Sequence, residues 1–213
     1  MRVAAIIPVG TLEGAKTRLG QALDAEERQD LVADLLARTV VTALAVVGLD
    51  DVLVVSPDRE VLTRASAAGA RTLRQRTRGL NHGLTEARAD VVAGGAEAIL
   101  VLPIDLPFVT AEAVTSVVER LTQDGGESHD DLAGPRVVLV TDRHGTGTNA
   151  LGLRPPGVID FTFGPGSRRR HRAATEAANA TYVELGGRLT VDLDTPDDLV
   201  FVESSAPERL GVG

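Results

Sequence analysis

Val3-Ala4-Ala5-Ile6-Ile7-Pro8-Val9 is an apolar run too short for a core helix, cut off by Pro8 and Gly10, and it reads as a buried strand. A loop through Leu19 follows, and Asp24-Ala25-Glu26-Glu27-Arg28 then begins a helix with the acidic first turn that complements its dipole. Leu31, Val32, Leu35, Leu36, Val40 and Leu44 recur at helical spacing behind it. The same alternation continues. Asp51-Val52-Leu53-Val54-Val55-Ser56 predicts a second strand, Pro57 and Asp58 a turn, and residues 61–68 a short helix. Residues 98–102 read as a strand, 111–121 as a helix and 136–141 as a strand, with 150–153 returning to the sheet. Strands that alternate with helices predict an α/β fold with mostly parallel pairing, right-handed crossovers and both sheet faces covered. A ligand is then expected at the carboxyl ends of the strands. The polar, Gly-rich stretch 124–134 is expected to be a surface loop, so residues 1–213 read as a single domain.

Composition narrows the function classes. The 213 residues are 43% hydrophobic but only 2% aromatic, with no Trp, so the core must be built from Ala, Val, Leu and Ile. Few aromatic rings are available for stacking on bases, and a formal charge of −8 opposes nucleic-acid binding. The absence of Cys excludes disulfides, thiolate zinc sites and a thiol nucleophile. The opening apolar run is too short for a signal or membrane segment, so a cytoplasmic protein without membrane attachment is expected. The long helix ending near Leu44 can face the core or a second subunit, which leaves a homodimer open.

One cation stands apart. Every Lys or Arg is Arg except Lys16, in Gly14-Ala15-Lys16-Thr17-Arg18-Leu19. A compact, strongly hydrated ammonium just after the first strand lies where α/β folds hold phosphates. Ile99-Leu100-Val101-Leu102-Pro103-Ile104-Asp105-Leu106-Pro107 delivers a carboxylate to the sheet's edge between two prolines that restrict the backbone, suiting Asp105 to a Mg²⁺ ion or to a turn. In Val191-Asp192-Leu193-Asp194-Thr195-Pro196-Asp197-Asp198, Thr195 suits a helix N-cap, Pro196 the first helical position and Asp198 the partner in a capping box. Asp192 and Asp194 precede that cap and share one face of an extended segment, so both can approach an ion shared with Asp105, or one can ligate while the other supports it.

Two Gly-rich segments complete the set. Thr141-Asp142-Arg143-His144-Gly145-Thr146-Gly147-Thr148-Asn149 offers Thr146, Thr148 and Asn149 as neutral donors to anionic oxygens, while His144 reads as a loop residue rather than a base. Phe161-Thr162-Phe163-Gly164-Pro165-Gly166-Ser167 leads into Arg168-Arg169-Arg170-His171-Arg172, where Ser167 can cap a helix and the arginines can draw a phosphorylated ligand. Gly79-Leu80-Asn81-His82-Gly83 precedes another helix, with Asn81 a candidate for a base edge.

Taken in order, these segments resemble the 2-phospho-L-lactate guanylyltransferase family, including its phosphoenolpyruvate guanylyltransferase branch in coenzyme F-420 biosynthesis. The Gly-Thr-Gly-Thr and Phe-Gly-Pro elements carry the likeness more specifically than the Lys16 loop or Asp-Thr-Pro, which many nucleotidyltransferases share. The resemblance implies a Rossmann-like, three-layer, glycosyltransferase-A-type nucleotidyltransferase domain that uses GTP, Mg²⁺ and a small phosphorylated three-carbon acid. It implies Asp105 and Asp192 as metal ligands, with Asp194 the alternative, and Thr148, Gly164 and Ser167 as the acid's site. Lys16 and Arg18 would lie along the GTP phosphates, Gly10 would border them, and Gly79 and Asn81 would lie near guanine. Gly10 stands where relatives often carry Lys, and Gly166 where some carry an acidic residue. The implied reaction is attack by the acid's phosphate on the α-phosphorus of GTP, with Lys16, Arg18 and Asp105 as the catalytic groups. Phosphoenolpyruvate is the favoured acceptor, ahead of 2-phospho-L-lactate and 3-phosphoglycerate. The alternatives are a nucleotidyltransferase of molybdopterin or sugar-phosphate type and a non-catalytic nucleotide-binding module.

Overall fold

The computed structural model describes residues 1–12, 16–123 and 134–205. Gly14 and Ala15 of the Lys16 segment, and all of the expected 124–134 loop except Gly134, lie outside the described residues. The strands are β1 (Val3–Pro8), β2 (Asp51–Ser56), β3 (Arg71–Arg74), β4 (Ala98–Val101), β5 (Arg136–Val140), β6 (Ala150–Arg154) and β7 (Thr181–Leu185). The helices are α1 (Ala25–Leu44), α2 (Arg59–Ala67), α3 (Leu80–Ala93), α4 (Ala111–Thr122), α5 (Ser167–Ala177) and α6 (Pro196–Ser205). Short 3-10 turns occupy Thr17–Gln21 and Arg188–Thr190.

The apolar runs of β1, β2 and β4 are buried on both faces and pair in parallel at the centre of a seven-stranded sheet of order β3-β2-β1-β4-β6-β5-β7. Only β6 runs against its neighbours, because residues 141–149 fold β5 back so that Val140 faces Ala150. The edge strands β3 and β7 are not legible in the sequence. Arg71-Thr72-Leu73-Arg74 is mostly exposed and Thr181–Leu185 only half-buried, so neither presents the apolar run that marks a strand covered on both faces.

Helices cover both faces. Side chains of α1, α2, α4 and α6 join one apolar cluster, and those of α3 pack on the other with Ala174 of α5, giving the expected three layers. Asp24 closes a capping box at the start of α1: its carboxylate accepts the Glu27 N–H at 2.9 Å, and Glu27 accepts the Asp24 N–H at 2.7 Å. Val32, Leu35, Leu36, Val40 and Ala43 face the sheet, whereas Leu44 is 46% exposed, outside the buried stripe to which its spacing assigned it.

Candidate active site

The strand order reverses at β1: the chain runs outward through β2 and β3 on one side, then crosses back to place β4 on the other. That reversal opens a crevice at the strands' carboxyl ends. A cleft of about 660 Å³ occupies it, within the size range of small-molecule sites. Gly10 follows β1, Asp105 follows β4, and Lys16 and Arg18 reach in from the 3-10 turn.

Lys16 organises the acidic side. Its backbone is left-handed, with φ 51° and ψ 36°, a conformation that costs a non-glycine residue roughly 1–2 kcal/mol. The side chain is nearly buried, and its Nζ donates to Asp194 Oδ1 at 2.7 Å and lies 3.8 Å from Asp105 Oδ2. The Leu193 N–H donates to the Asp105 carbonyl at 2.9 Å, so the two acidic segments dock directly on each other. Leu193 enters the core, and Asp192 and Asp194 on either side of it line the cleft.

Burial pushes the Asp105 carboxyl above its usual range; Lys16 opposes this, while Asp194 and Asp192 add to it. Asp192 is likewise raised by burial and by Asp194, with its own backbone amide and a hydrogen bond from Asn149 pulling the other way. Among the described residues, no group of three or more His, Cys, Asp or Glu could hold a metal ion. Three protein carboxylates therefore do not close around one ion. Asp194 takes the close Lys16 contact, whereas Asp105 lies farther from Lys16 and Asp192 is hydrogen-bonded by the neutral Asn149, so Asp105 and Asp192 are the pair that could hold a cation. That donor set fits a hard ion completed by water and substrate oxygens.

Asp198 does more than cap α6. It accepts the backbone N–H groups of Asp194 at 3.0 Å and Thr195 at 2.8 Å, and the Thr195 hydroxyl at 2.8 Å. Arg143 pairs with its other oxygen at 2.5 Å, tying the 141–149 loop to the acidic segment. Although burial opposes it, these hydrogen bonds and the Arg143 charge hold Asp198 below the usual carboxylate range. The capping pattern was visible in the sequence, but the Arg143 partner, 55 residues away, was not.

Thr148, Gly164 and Ser167 also line the cleft, with Thr148 and Ser167 in hydrogen-bond contact. Gly164 has φ 117° and Gly166 φ 70°, values that favour glycine and let the loop turn sharply into α5. Gly166 occupies the cap position without a side-chain bond, and Ser167 is the first residue of the helix rather than its cap. The Ser167 hydroxyl is thereby directed to Thr148 Oγ1, 2.9 Å away. The other expected donors are spent elsewhere. Thr146 binds Asp142 through both its backbone N–H and its hydroxyl, and Asn149 donates to the Leu189 carbonyl and to Asp192.

The basic run also differs from expectation, since none of Arg168, Arg169, Arg170 and Arg172 lines the cleft. Arg168 pairs with Glu184, Arg170 donates to the carbonyls of Pro165 and Thr162, and Arg172 pairs with Glu176. Arg170 thus braces the loop that leads into α5. Asn81 spends both ends of its amide on Phe163, donating to its carbonyl at 3.2 Å and accepting its N–H at 2.9 Å. Neither Asn81 nor Gly79 lines the cleft; Leu80 and Leu84 of the same helix do. Gly10 lines it with open space around the position of a Cβ, so a longer side chain would fit there.

Sequence reasoning missed His171, which was submerged in an arginine run. It is fully buried, with Nδ1 3.1 Å from Thr148 Oγ1 and Nε2 accepting the Thr162 N–H at 3.1 Å. Burial, and then the Arg170 charge, lower its pKa from 6.5 to about 4. The unfolded chain therefore takes up a proton at this residue that the folded chain refuses between those values. Stability from this group is complete above pH ~6.5 and declines as pH falls toward ~4, by roughly 3 kcal/mol in all. Denaturant unfolding from pH 7 to 4.5 is expected to show a steeper loss in the wild type than in His171→Leu. Equal slopes would contradict the assignment of a neutral, buried imidazole.

A family model described as "Guanylyl transferase CofC like" matches residues 3–203. The chain belongs to that family. A phosphoenolpyruvate guanylyltransferase of Rubrobacter xylanophilus is 44% identical over 206 residues, covering 96% of this chain and 95% of the relative. A 2-phospho-L-lactate guanylyltransferase of Methanocaldococcus vulcanius is 31% identical over 196 residues, covering 91% and 81%. Among solved structures, a putative nucleotide-diphospho-sugar transferase from Desulfovibrio desulfuricans G20 superposes with a TM-score of 0.75 at 15% identity, covering 99% of this chain and 90% of that one. The last likeness bears on the fold alone, which is that of the glycosyltransferase-A-type nucleotidyltransferases. Among the described residues, no helix of this guanylyl transferase family member is long and apolar enough to cross a membrane.

Proposed function

We propose that the protein transfers GMP from GTP to a small phosphorylated acid, releasing pyrophosphate, as a step in coenzyme F-420 biosynthesis. The observation that carries this reading is the division of one cleft between two kinds of chemistry. A lysine held between carboxylates and the neutral hydroxyl pair Thr148 and Ser167 line the same cleft. The first suits a nucleoside triphosphate and its cation; the second suits the acid. Phosphoenolpyruvate is the preferred acceptor, in keeping with the name of the relative at 44% identity, and 2-phospho-L-lactate is the second reading.

In this mechanism an oxygen of the acid's phosphate attacks the α-phosphorus of GTP. The bond from that phosphorus to the bridging oxygen breaks, and pyrophosphate leaves with the electron pair. A phosphate monoester has a second pKa of about 6, so the nucleophile is mostly ionised near neutrality and needs no side-chain base. Lys16 and Arg18 offset charge along the triphosphate, and Thr148 and Ser167 orient the acid. Asp105 and Asp192 would hold Mg²⁺, which supplies charge neutralisation at the phosphates. One cytoplasmic domain carries the reaction in this reading, with both sets of groups carried on connections of the same sheet.

Pyrophosphate release is the test, measured with GTP and Mg²⁺ and with phosphoenolpyruvate, 2-phospho-L-lactate or 3-phosphoglycerate in parallel. Release that requires one of these acids is expected. Silence with all three would remove the proposal and favour a nucleotide-binding role.

A further inference from the structure

We infer that His171 is a positioning residue: through its Nδ1–H it makes the Thr148–Ser167 pair a hydroxyl donor aimed at an anionic oxygen of the bound acid. The inference rests on the acid site proposed above and adds a residue to it.

A backbone N–H can only donate, so the Thr162 N–H, 3.1 Å from Nε2, requires a lone pair on that nitrogen. A neutral ring then carries its proton on Nδ1, where the partner is Thr148 Oγ1 at 3.1 Å. One lone pair of Thr148 is thus filled. Thr148 and Ser167 have two hydroxyl protons between them and use one in their mutual bond of 2.9 Å. Whichever of the two donates in that bond, one hydroxyl proton remains, and both residues line the cleft.

The opposite tautomer would reverse this. An unprotonated Nδ1 would take the Thr148 proton, the Ser167 proton would go to Thr148, and the pair would present only lone pairs to an anion. A protonated ring would set two N–H groups against each other at Thr162. The surroundings favour the neutral form: the ring is fully buried, Phe163 meets it edge-on at 5.1 Å, and Arg170 is the charged neighbour that acts on it. Arg170 itself donates to the carbonyl of Thr162, the residue whose N–H fixes the tautomer.

Two substitutions separate the ring's roles. Asn can place an amide N–H near the position of Nδ1, and Gln a carbonyl oxygen near that of Nε2. His171→Gln keeps the acceptor for Thr162 and gives up the donor to Thr148; its KM for the acid is expected to rise about 10-fold or more, with the KM for GTP unchanged. His171→Asn is expected to stay within about threefold of wild type for the acid, on the same reasoning. An unchanged acid KM in folded His171→Gln would overturn the inference, as would equal losses for acid and GTP in both variants. Nitrogen-15 NMR of the wild type reads the tautomer without relying on turnover or on the variants. A bare Nε2 with a protonated Nδ1 is expected, and the reverse assignment or a charged ring at neutral pH would refute the role. If no acid supports turnover in the wild type, the proposed reaction fails, and the NMR result still decides the direction of the hydroxyl proton.

Discussion

Asp105→Asn is expected to lower turnover by about 10³-fold or more while leaving the unfolding midpoint close to wild type, because charge neutralisation at the reacting phosphates is a large term in phosphoryl chemistry. The fold should survive. Asp105 is held through its backbone carbonyl by the Leu193 N–H, and Leu106 beside it is buried in the core, so the carboxylate itself supports little of the packing. Its oxygen lies 3.8 Å from Lys16 and not in a direct hydrogen bond, and Lys16 keeps Asp194 as its partner at 2.7 Å. An amide at this position retains shape and removes charge. Turnover within tenfold of wild type at saturating Mg²⁺, measured as pyrophosphate release, would remove Asp105 from the catalytic set.

Lys16→Met should reduce kcat/KM for GTP by about 10²-fold, the scale on which a single charged group aimed at developing negative charge acts. A second expectation distinguishes this from simple loss of structure. Lys16 pairs with Asp194 and approaches Asp105, so in the proposed arrangement its ammonium would share Asp105 with the divalent cation. Without it, the Mg²⁺ concentration giving half-maximal rate should fall or stay constant even as turnover drops. Lys16→Arg should recover little, since a broad planar guanidinium does not match the nearly buried position of a compact ammonium between two carboxylates. A methionine variant with near-normal kcat/KM, or one needing more Mg²⁺, would show that the lysine does not act at the phosphates.

The chain's reading succeeded where local chemistry was sufficient. β1, β2 and β4 are apolar on both faces, so their runs were continuous, and the capping box at Thr195 was written in residues three apart. The same logic explains the gaps. β3 and β7 are edge strands whose Arg, Thr and Glu side chains reach solvent, leaving no hydrophobic pattern to find. Family resemblance nominated Asp105, Asp192, Thr148 and Ser167, and all four line one cleft. It did not show that Asn81 is committed to Phe163, or that Arg170 braces a loop while Arg168 and Arg172 pair with glutamates instead of facing a ligand.

By itself the sequence determined the α/β alternation, the aliphatic core, the positions of the acidic segments and the singular lysine, because each is a property of neighbouring residues and their periodicity. Only the tertiary structure decided which polar groups have protons or charges left to offer. Lys16 meets Asp194 across 178 positions, and His171 meets Thr148 across 23. Whether a hydroxyl donates or accepts, and whether a carboxylate is paired or available, depends on partners that only folding supplies.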